Sequence, residues 1–357
     1  MKLQYFFVLG LGCLSLAPLP LSADSLQADA ALTDHSDMLR DALSELPAQR
    51  DLMATLALEG VFKISETIVL ESHTRLDLSQ ARIQQIGEKG FTLFKNADTE
   101  GGNTHIELVG GEIVGNRLAA EKAGDCIGFV RVGSLRLENL EISDCGRDGI
   151  FLSGGGRHTR HVVVRDVSVN HNRRYGLAIS WAMRNVVVDS VSASKNGGDG
   201  IYSDHSESNY RNITATENGR DGIFIRNVFN NSYTDLLTFR NKRHGIRVVG
   251  MCYSQGRNWN SYINGQRGGE GNDADVYFEA LDKMSYGITS NARIDGINAG
   301  SNRHMPRLET PYTLYIEKAL PGAHSYQSLV LNDVRLEGKW QVPASPGIRM
   351  HFSVDTE

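Results

Sequence analysis

The chain has 357 residues, a formal net charge of −5, and 37 glycines against only 8 prolines. The negative charge excludes a general nucleic-acid-binding protein, whose basic surface would normally show in the total. The glycine content is typical of a regular array with many tight turns.

The first 23 residues differ from the rest of the chain. Lys2 is followed by an uncharged apolar run from Leu3 to Leu21, which ends in Ser22-Ala23-Asp24. A basic start, an apolar stretch and small residues at its end are typical of a secretory signal peptide, with cleavage expected after Ala23. No later segment approaches the roughly 20 apolar residues of a membrane span. We therefore expect an exported protein, periplasmic or secreted, with no membrane attachment after signal removal and with residues 24–357 as one domain.

The segment from about residue 34 to residue 47 predicts a short helix that ends at Pro47. Because the open end of a solenoid requires a cap, we expect this helix to cover the first coil. Its apolar face consists of Met38, Leu39, Ala42, Leu43 and Leu46.

Three cysteines remain after the predicted cleavage: Cys126, Cys145 and Cys252. An odd number leaves at least one thiol free and speaks against a disulfide-stapled scaffold. We expect all three to be small buried core residues.

A repeat of about 23 residues fills the middle of the chain. The fourth positions of its five copies are separated by 27, 24, 22 and 23 residues. Segments of alternating Val, Ile and Thr between the copies, such as Val162–Val169, predict strands. Glycine after the Asp would permit a left-handed turn, and the Asn column would stack its amides along the axis. The copies are Cys145-Gly-Arg-Asp148-Gly-Ile, Asn172-Arg-Arg-Tyr175-Gly-Leu, Asn196-Gly-Gly-Asp199-Gly-Ile, Asn218-Gly-Arg-Asp221-Gly-Ile and Asn241-Lys-Arg-His244-Gly-Ile.

This period excludes helical solenoids, whose repeats are longer, and the spaced leucines of leucine-rich repeats are absent. The remaining architecture is an all-β, three-faced, right-handed parallel β-helix with a short N-terminal capping helix. After Gly250 the pattern breaks, and a polar segment rich in Gly and Asn predicts a long excursion over residues 253–275.

Several segments resemble the pectin-lyase-like superfamily of right-handed parallel β-helices. They are Gly60-Val-Phe-Lys-Ile, Ile106-Glu-Leu-Val-Gly-Gly-Glu-Ile-Val-Gly-Asn116 and the Asn-x-x-Asp-Gly-Ile coils. That superfamily includes pectate and alginate lyases, mannuronan C-5 epimerases and polygalacturonases, so the resemblance implies the fold but leaves the reaction open. The Tyr-Gly-Phe-Asp-Pro-His stretch of alginate epimerases is matched only at its start, by Tyr175-Gly-Leu177. Ser203-Asp204-His205 lies one coil later, and no catalytic role is carried over.

Strand alternation predicts which repeat positions face outwards. Counted from the Asp of each copy, the third, fifth and sixth following positions supply Tyr202, Asp204, His205 and Arg226 in two successive coils. An Arg can neutralise a uronate carboxylate, and His or Tyr can exchange the C5 proton. We therefore predict that these four residues form the catalytic cluster. Ligand binding without chemistry and an ordinary solvated surface are the alternatives.

A second set of residues is predicted to bind substrate. Trp181 and Arg247 occupy outward positions in the neighbouring coils. An arginine column lies just before the Asp position and either attracts a polyanion or pairs with the Asp column. The column consists of Arg147, Arg174, Arg220 and Arg243.

Metal signals are weak, and we predict no cofactor; a calcium ion held by acidic residues of the excursion is the alternative. The candidate ligands are Glu270, Asp273 and Asp275; no zinc spacing exists. Asp199 and Asp221 share one column and could serve a hydrolase that needs paired carboxylates.

These features together predict a polysaccharide lyase or C-5 epimerase that acts on an acidic, uronate-containing polysaccharide. A glycoside hydrolase on the same fold is the first alternative. A non-catalytic polysaccharide-binding or exopolysaccharide assembly factor is the second.

Overall fold

A computed structural model describes residues 24–46, 52–118, 124–156, 159–266, 273–280, 288–300, 311–318 and 326–353. The predicted signal peptide lies outside these residues. The described residues form one helix and 24 strands, all paired in parallel. The helix is α1 (Ser36–Glu45), and the strands are β1 (Asp24–Gln27), β2 (Ala54–Ile64), β3 (Ile68–Leu70), β4 (Thr74–Gln85), β5 (Phe94–Asn96), β6 (Asn103–Val109), β7 (Glu112–Val114), β8 (Ile127–Val130), β9 (Val132–Glu138), β10 (Glu141–Ser143), β11 (Ile150–Ser153), β12 (Thr159–Asn170), β13 (Leu177–Ser194), β14 (Ile201–Thr216), β15 (Ile223–Phe229), β16 (Ser232–Phe239), β17 (Ile246–Cys252), β18 (Gln255–Tyr262), β19 (Ala274–Phe278), β20 (Ala292–Gly300), β21 (Tyr312–Ile316), β22 (Leu329–Glu337), β23 (Trp340–Gln341) and β24 (Ile348–Phe352).

Successive coils stack in register, which confirms the right-handed parallel β-helix. On the face that we call the site sheet, the first residue after each repeat glycine pairs with its equivalent in the next coil. The column runs through Ile150, Leu177, Ile201, Ile223, Ile246 and Val276, all of them fully or almost fully buried. These side chains belong to one continuous apolar core that extends from Leu39 to Val334.

The capping helix covers the first coil, with Leu39 fully buried against the core. Ala42, Leu43 and Leu46 pack partly buried beside it. Strand β1, which was not predicted from the sequence, precedes the helix and pairs with β2. In the described part of the chain, no helix is long and apolar enough to cross a membrane.

The repeated asparagines form a buried hydrogen-bonded ladder along the axis. Asn218 Oδ1 accepts the backbone N–H of Asn196 at 3.1 Å and its Nδ2 at 3.0 Å. Asn218 Nδ2 in turn donates to Asn241 Oδ1 at 2.9 Å. The amide stacking predicted for this column is therefore confirmed. The left-handed backbone bend falls one residue earlier, for instance at Lys195 and Glu217, rather than at the asparagines.

The glycine that follows each Asp is required for a reason other than the one expected from the sequence. Gly200 and Gly222 do not have a positive φ. A Cβ on Gly222 would lie 2.6 Å from the Asn241 amide nitrogen and 2.6 Å from the Gly245 carbonyl oxygen of the next coil. The missing side chain therefore permits close approach of neighbouring coils, not a left-handed turn.

The predicted excursion over residues 253–275 is wrong for most of its length. Residues 255–262 form β18, which pairs with β16 and β20 as an ordinary coil. Asn264 continues the ladder and donates to Asp275 Oδ1 through both its backbone N–H and its side chain. Residues 267–272 lie outside the described residues.

The prediction of three buried thiols is also wrong. Cys126 and Cys145 form a disulfide with Cα atoms 5.5 Å apart, and both residues are fully buried. Cys145 occupies the first position of the asparagine column, and stacking brings the preceding coil's Cys126 within bonding distance. Cys252 is free, as the odd number requires.

Candidate functional site

Strand β14 places Tyr202 and Asp204 on the outer surface of the site sheet. The neighbours Ile201 and Ser203 point into the core and are fully buried, as strand alternation requires. In the next coil, Phe224 pairs with Tyr202, and Arg226 pairs with Asp204. The register therefore brings the predicted residues of two coils side by side.

The four residues predicted as catalytic are in contact with one another. The Tyr202 hydroxyl donates a hydrogen bond to Asp204 Oδ2 at 3.1 Å. His205 Nδ1 lies 2.6 Å from Asp204 Oδ1. The Arg226 guanidinium donates to the Tyr202 hydroxyl oxygen. A phenol, an imidazole, a carboxylate and a guanidinium thus form one connected group, which we call the His205 cluster.

A backbone bend gives His205 its exposure. Its φ is +48°, and the equivalent residues Trp181, Asn227 and Gly250 in neighbouring coils also have positive φ. This conformation ends the outward-inward alternation and turns the side chain away from the strand direction. The His205 side chain is consequently 39% exposed, whereas the Asp204 side chain that it contacts is 4% exposed.

Electrostatics separate the roles of the titratable groups in the cluster. Burial, and next the negative charge of Asp204, raise the pKa of Tyr202 to about 12. Burial opposes protonation of Arg226, but its hydrogen bond to Tyr202 and the charge of Asp204 outweigh it and raise the pKa of the guanidinium. At neutral pH, Tyr202 therefore carries its proton as a donor, and Arg226 keeps its charge.

Tyr202 also belongs to an aromatic stack. Its ring lies parallel to the ring of Tyr175 in the preceding coil, with centroids 4.9 Å apart. On the other side, the edge of Phe224 meets it at 5.5 Å. These contacts fix the direction of the phenol hydroxyl.

Arg247 lies on the same sheet but is held by other partners. Its guanidinium forms an ion pair with Glu279, lies 3.5 Å from Asp221 and stands 4.3 Å above the ring of Phe224. Glu279 was not predicted from the sequence. Aligning Val276-Tyr-Phe with Ile246-Arg-Val would have placed it in the column of Arg226, because these segments pair in register.

The arginine column pairs with the aspartate column of the preceding coil. Arg147 and Arg174 each bind the preceding carboxylate, Asp125 and Asp148, through two nitrogens. Arg220 and Arg243 lie 3.7 Å and 3.6 Å from Asp199 and Asp221. Because these carboxylates are fully or almost fully buried, the column compensates their charge, and its binding of a polyanion stays a prediction.

Asp199 and Asp221 lie one above the other. Asp199 Oδ1 accepts the backbone N–H of Asp221 at 3.0 Å. Burial, and next the charge of Asp221, raise the pKa of Asp199 to about 7. Both residues are fully buried, so neither presents its carboxylate to a ligand on the surface.

A cleft of about 380 Å³ lies beside the His205 cluster, and we call it the Trp181 cleft. His205 belongs to both, and its ring centroid lies 6.5 Å from that of Trp181. Apart from Trp181 and His205, the lining residues were not predicted from the sequence. The cleft is lined by Gly156, Trp181, Ala182, Met183, Arg184, His205, Ser206, Glu207, Asn227 and Phe229.

Calcium binding by the acidic residues near β19 stays a prediction. Asp275 is fully buried and accepts hydrogen bonds from Asn264, and Glu270 lies outside the described residues. Residues that the structure describes contain no group of three or more His, Cys, Asp or Glu side chains placed to hold a metal ion. Neither Asp273 nor Asp275 therefore carries a step of the chemistry below.

Comparisons with known proteins agree with this architecture. A family model described as the right-handed β-helix region matches residues 102–265. No curated protein matches the sequence significantly. Among solved structures, the chain is similar to the A-module of the Azotobacter vinelandii mannuronan C-5 epimerase AlgE4. The identity is 15% over 90% of this chain and 96% of that one, with a TM-score of 0.67.

Two further solved structures are also similar to this chain. The Dettilon tailspike protein is 13% identical over 92% of this chain and 68% of its own, with a TM-score of 0.61. The family 28 exopolygalacturonase of Yersinia enterocolitica is 10% identical over 92% of this chain and 77% of its own, with a TM-score of 0.50. Identities this low carry the fold and not the activity. Together with the parallel register of the coils, these similarities show that the chain has the right-handed parallel β-helix fold.

Proposed function

We propose that this protein acts on an acidic, uronate-containing polysaccharide by β-elimination or C-5 epimerisation at the His205 cluster. The observation that carries the proposal is the contact of Tyr202, Asp204, His205 and Arg226 on one outer face beside an open cleft. The epimerase and exopolygalacturonase among the similar structures are consistent with a uronate polymer as partner. Long outer faces suit polymers because successive coils present equivalent surfaces.

The chemistry requires that the C5 proton of a uronate become acidic. Arg226 would pair with the sugar carboxylate and stabilise the negative charge that develops there. The contact of His205 Nδ1 with Asp204 favours a proton on Nδ1, which leaves Nε2 free to accept the C5 proton. His205 is then the general base, oriented by Asp204.

Tyr202 supplies the acid. Because its pKa is raised to about 12, the phenol carries a proton at neutral pH. In an elimination, the electron pair left at C5 forms the C4–C5 double bond as the C4–O bond breaks, and Tyr202 protonates the leaving oxygen. In an epimerisation, the C4–O bond stays intact, and Tyr202 returns a proton to C5 from the opposite face.

We also propose that the protein works outside the cytoplasm. The apolar run from Leu3 to Leu21 is typical of a signal peptide. The buried Cys126–Cys145 disulfide supports the same compartment, because disulfides persist in oxidising surroundings such as the periplasm. Expression with and without residues 1–23, followed by fractionation and mass determination of the exported chain, tests this proposal.

A three-way assay tests the reaction. The purified protein is incubated in deuterated buffer with polymannuronate, polygalacturonate and uronate-containing heteropolysaccharides. Near-ultraviolet absorbance detects the unsaturated uronate of an elimination, and nuclear magnetic resonance detects deuterium at C5 without chain cleavage in an epimerisation. Either result supports the proposal. New reducing ends without unsaturation would replace it with a hydrolase, and retention on a polymer without turnover would replace it with a binding protein.

A further inference from the structure

Exposed aromatic side chains line the Trp181 cleft. In the described ranges, the aromatic side chains exposed by more than 45% are Trp181 (61%), Phe229 (51%), Tyr253 (57%), Trp340 (48%) and Phe352 (47%). The first three lie at one corner of the solenoid, where Phe229 and Tyr253 contact each other with ring centroids 5.1 Å apart. Grouped exposed aromatic side chains mark a binding surface, because a ligand that covers them buries a contiguous apolar area, which is favourable.

The dimensions of the cleft suit a sugar ring. Trp181 lies one coil before His205, and Phe229 one coil after it, so the two aromatic side chains begin about 10 Å apart along the axis. Ala182 and Met183, which follow Trp181 in β13, also line the cleft. The carbon-bonded hydrogens of a pyranose ring give it an apolar face that packs against aromatic side chains, while its edge keeps its hydroxyls in water.

Charge decides which kind of sugar the cleft accepts. Its charged lining residues are Arg184, His205 and Glu207. Arg184 Nε lies 3.1 Å from Glu207 Oε1, so the charge of Arg184 is already compensated, and His205 contacts the Asp204 carboxylate. A sugar carboxylate in the cleft would be repelled by Glu207, and the already compensated charge of Arg184 would not offset this repulsion. The cleft therefore favours an uncharged ring.

The cleft also offers a hydrogen-bonding group. Asn227 lines it, and Asn227 Oδ1 is buried without a hydrogen-bond partner among the residues that the structure describes. Rotation of this amide presents the oxygen to a sugar hydroxyl, which would donate to it. A buried polar atom without a partner is rare in folded proteins, and a ligand hydroxyl would satisfy it.

We propose that the Trp181 cleft binds an uncharged sugar residue adjacent to the uronate held at the His205 cluster. The polymer recognised by this protein is then an acidic heteropolysaccharide in which uronates alternate with neutral sugars, rather than a uronate homopolymer. This inference rests on the proposed function, because the neighbouring uronate is assigned to Arg226. The cleft itself can be tested without turnover.

The first experiment uses the fluorescence of Trp181. The chain has three tryptophans, and Trp259 is fully buried. In a Trp340→Phe background, Trp181 is the one remaining solvent-exposed tryptophan, so a shift in the fluorescence of exposed tryptophan reports on Trp181. The probes are oligosaccharides of gellan, which carries neutral sugars beside each glucuronate, and oligomannuronate and oligogalacturonate of equal length. We expect the heteropolymer fragment to shift the emission at a concentration at least about tenfold lower than either homouronate.

The second experiment uses variants of the cleft in isothermal titration with the same probes. Trp181→Ala and Phe229→Ala should each raise the Kd for the heteropolymer about tenfold, as expected for aromatic side chains that dominate an interface. Trp340→Ala and Phe352→Ala are matched controls, since their rings are similarly exposed and contact each other at 5.6 Å, and they should leave the Kd unchanged. Glu207→Gln should reduce the preference for the heteropolymer over homouronates. The change leaves the Arg184 charge uncompensated and therefore strengthens homouronate binding.

The outcomes separate this inference from the proposed function. Equal or tighter binding of homouronates, no response of Trp181 to any heteropolymer, or equal effects of cleft and control variants would each overturn the heteropolymer inference. Turnover that survives in Tyr202→Phe and His205→Ala, with the cleft results intact, would overturn the catalytic assignment and leave the cleft as a sugar-binding site. Turnover of a homouronate without any response of Trp181 fluorescence would overturn the heteropolymer inference and leave the catalytic assignment in place.

Discussion

Asp199 and Asp204 belong to one coil but have opposite surroundings. Both side chains are buried, but Asp204 contacts the phenol of Tyr202 and the imidazole of His205, whereas Asp199 lies beside a second carboxylate, that of Asp221. Residue type alone does not separate these cases. The two cases are separated by position in the chain: Asp199 lies in the turn before β14, and Asp204 lies within β14 at an outward position.

The chemistry proposed for the His205 cluster predicts a graded set of kinetic defects. His205→Ala and Tyr202→Phe each remove a general acid or base, so turnover should fall by roughly a hundredfold or more. Arg226→Ala should raise KM as well, because the substrate carboxylate loses its partner. Steady-state rates on the best polymer, with melting temperatures as a check on folding, measure these effects. Near-wild-type rates in both His205→Ala and Tyr202→Phe would show that the chemistry lies elsewhere.

The buried pair predicts a pH-dependent stability. Burial and Asp221 raise the pKa of Asp199 to about 7, above its ordinary value of 3.8. The folded protein therefore binds this proton more tightly than the unfolded chain, and the corresponding stability is complete at low pH and is lost as the pH rises towards and through 7. Asp199→Asn keeps an oxygen for the Asp221 N–H but removes the charge.

We therefore expect Asp199→Asn to raise the melting temperature at pH 8 by about 2–4 °C or more and to change it little at pH 4. Thermal unfolding followed by circular dichroism across this range measures the difference. Asp189→Asn is a useful comparison, because the ion pair with Arg211 lowers the pKa of Asp189, and its removal should be unfavourable at pH 8. An identical pH dependence in wild type and Asp199→Asn would contradict the assignment.

At the scale of structural elements, the asparagine ladder joins successive coils, in addition to strand pairing, packing and the arginine–aspartate pairs. Asn218→Ala would remove the acceptor of the Asn196 N–H and the donor to both Asn241 Oδ1 and the Ala193 carbonyl. Each buried group left without a partner costs about 1–3 kcal/mol. We expect a loss of several kcal/mol in the free energy of unfolding, measured by urea denaturation.

Asn209→Ala is the matched control for the ladder variant. Asn209 is an exposed asparagine on β14 whose Oδ1 accepts one hydrogen bond, from the Ser232 hydroxyl. Its removal should cost less than about 0.5 kcal/mol. Equal losses in the two variants would mean that burial of the ladder amides contributes little to stability.

At the scale of the whole molecule, the disulfide joins two coils near the start of the regular array. Cys126 and Cys145 are 19 residues apart in sequence, and a loop of this size stabilises a fold by about 3 kcal/mol. Reductant, or the double change Cys126→Ala and Cys145→Ala, should lower the melting temperature by about 4 °C. Cys252→Ala should leave the response to reductant unchanged, and a melting temperature insensitive to reductant would contradict the disulfide.

The fold could be predicted from the sequence because a repeat of Asn, Asp, Gly and Ile at nearly constant spacing specifies one coil many times over. The coil of β18 escaped prediction because its inward positions carry Trp259 and Ser261 rather than a second run of Val or Ile. Only Asn264 kept the repeat signature there. The disulfide escaped because its two cysteines become neighbours only through stacking of consecutive coils.

The candidate site divides in the same way. Tyr202, Asp204 and Arg226 could be placed because they lie within strands that follow a simple count. The Trp181 cleft could not, since the pairing of β13 with β14 shifts register between Ser180 and Met183. Past such a bulge, equal counts from the Asp no longer identify equivalent positions. Sites at a register shift therefore require the backbone geometry, whereas sites in regularly paired stretches follow from periodicity.

The asparagine ladder also has a direction. Every amide oxygen points to the preceding coil and every amide nitrogen to the following one, from Asn172 to Asn264. The amide dipoles are aligned and therefore polarise each other. The donor end of the ladder, which is its positive end, meets the Asp275 carboxylate through Asn264 Nδ2. At the other end stands Cys145, whose sulfur is committed to the disulfide. A duplicated coil inserted between Cys145 and Asp275 could therefore extend the ladder. A coil added beyond Asp275 could not, because a carboxylate accepts hydrogen bonds but has no N–H to donate to the next asparagine.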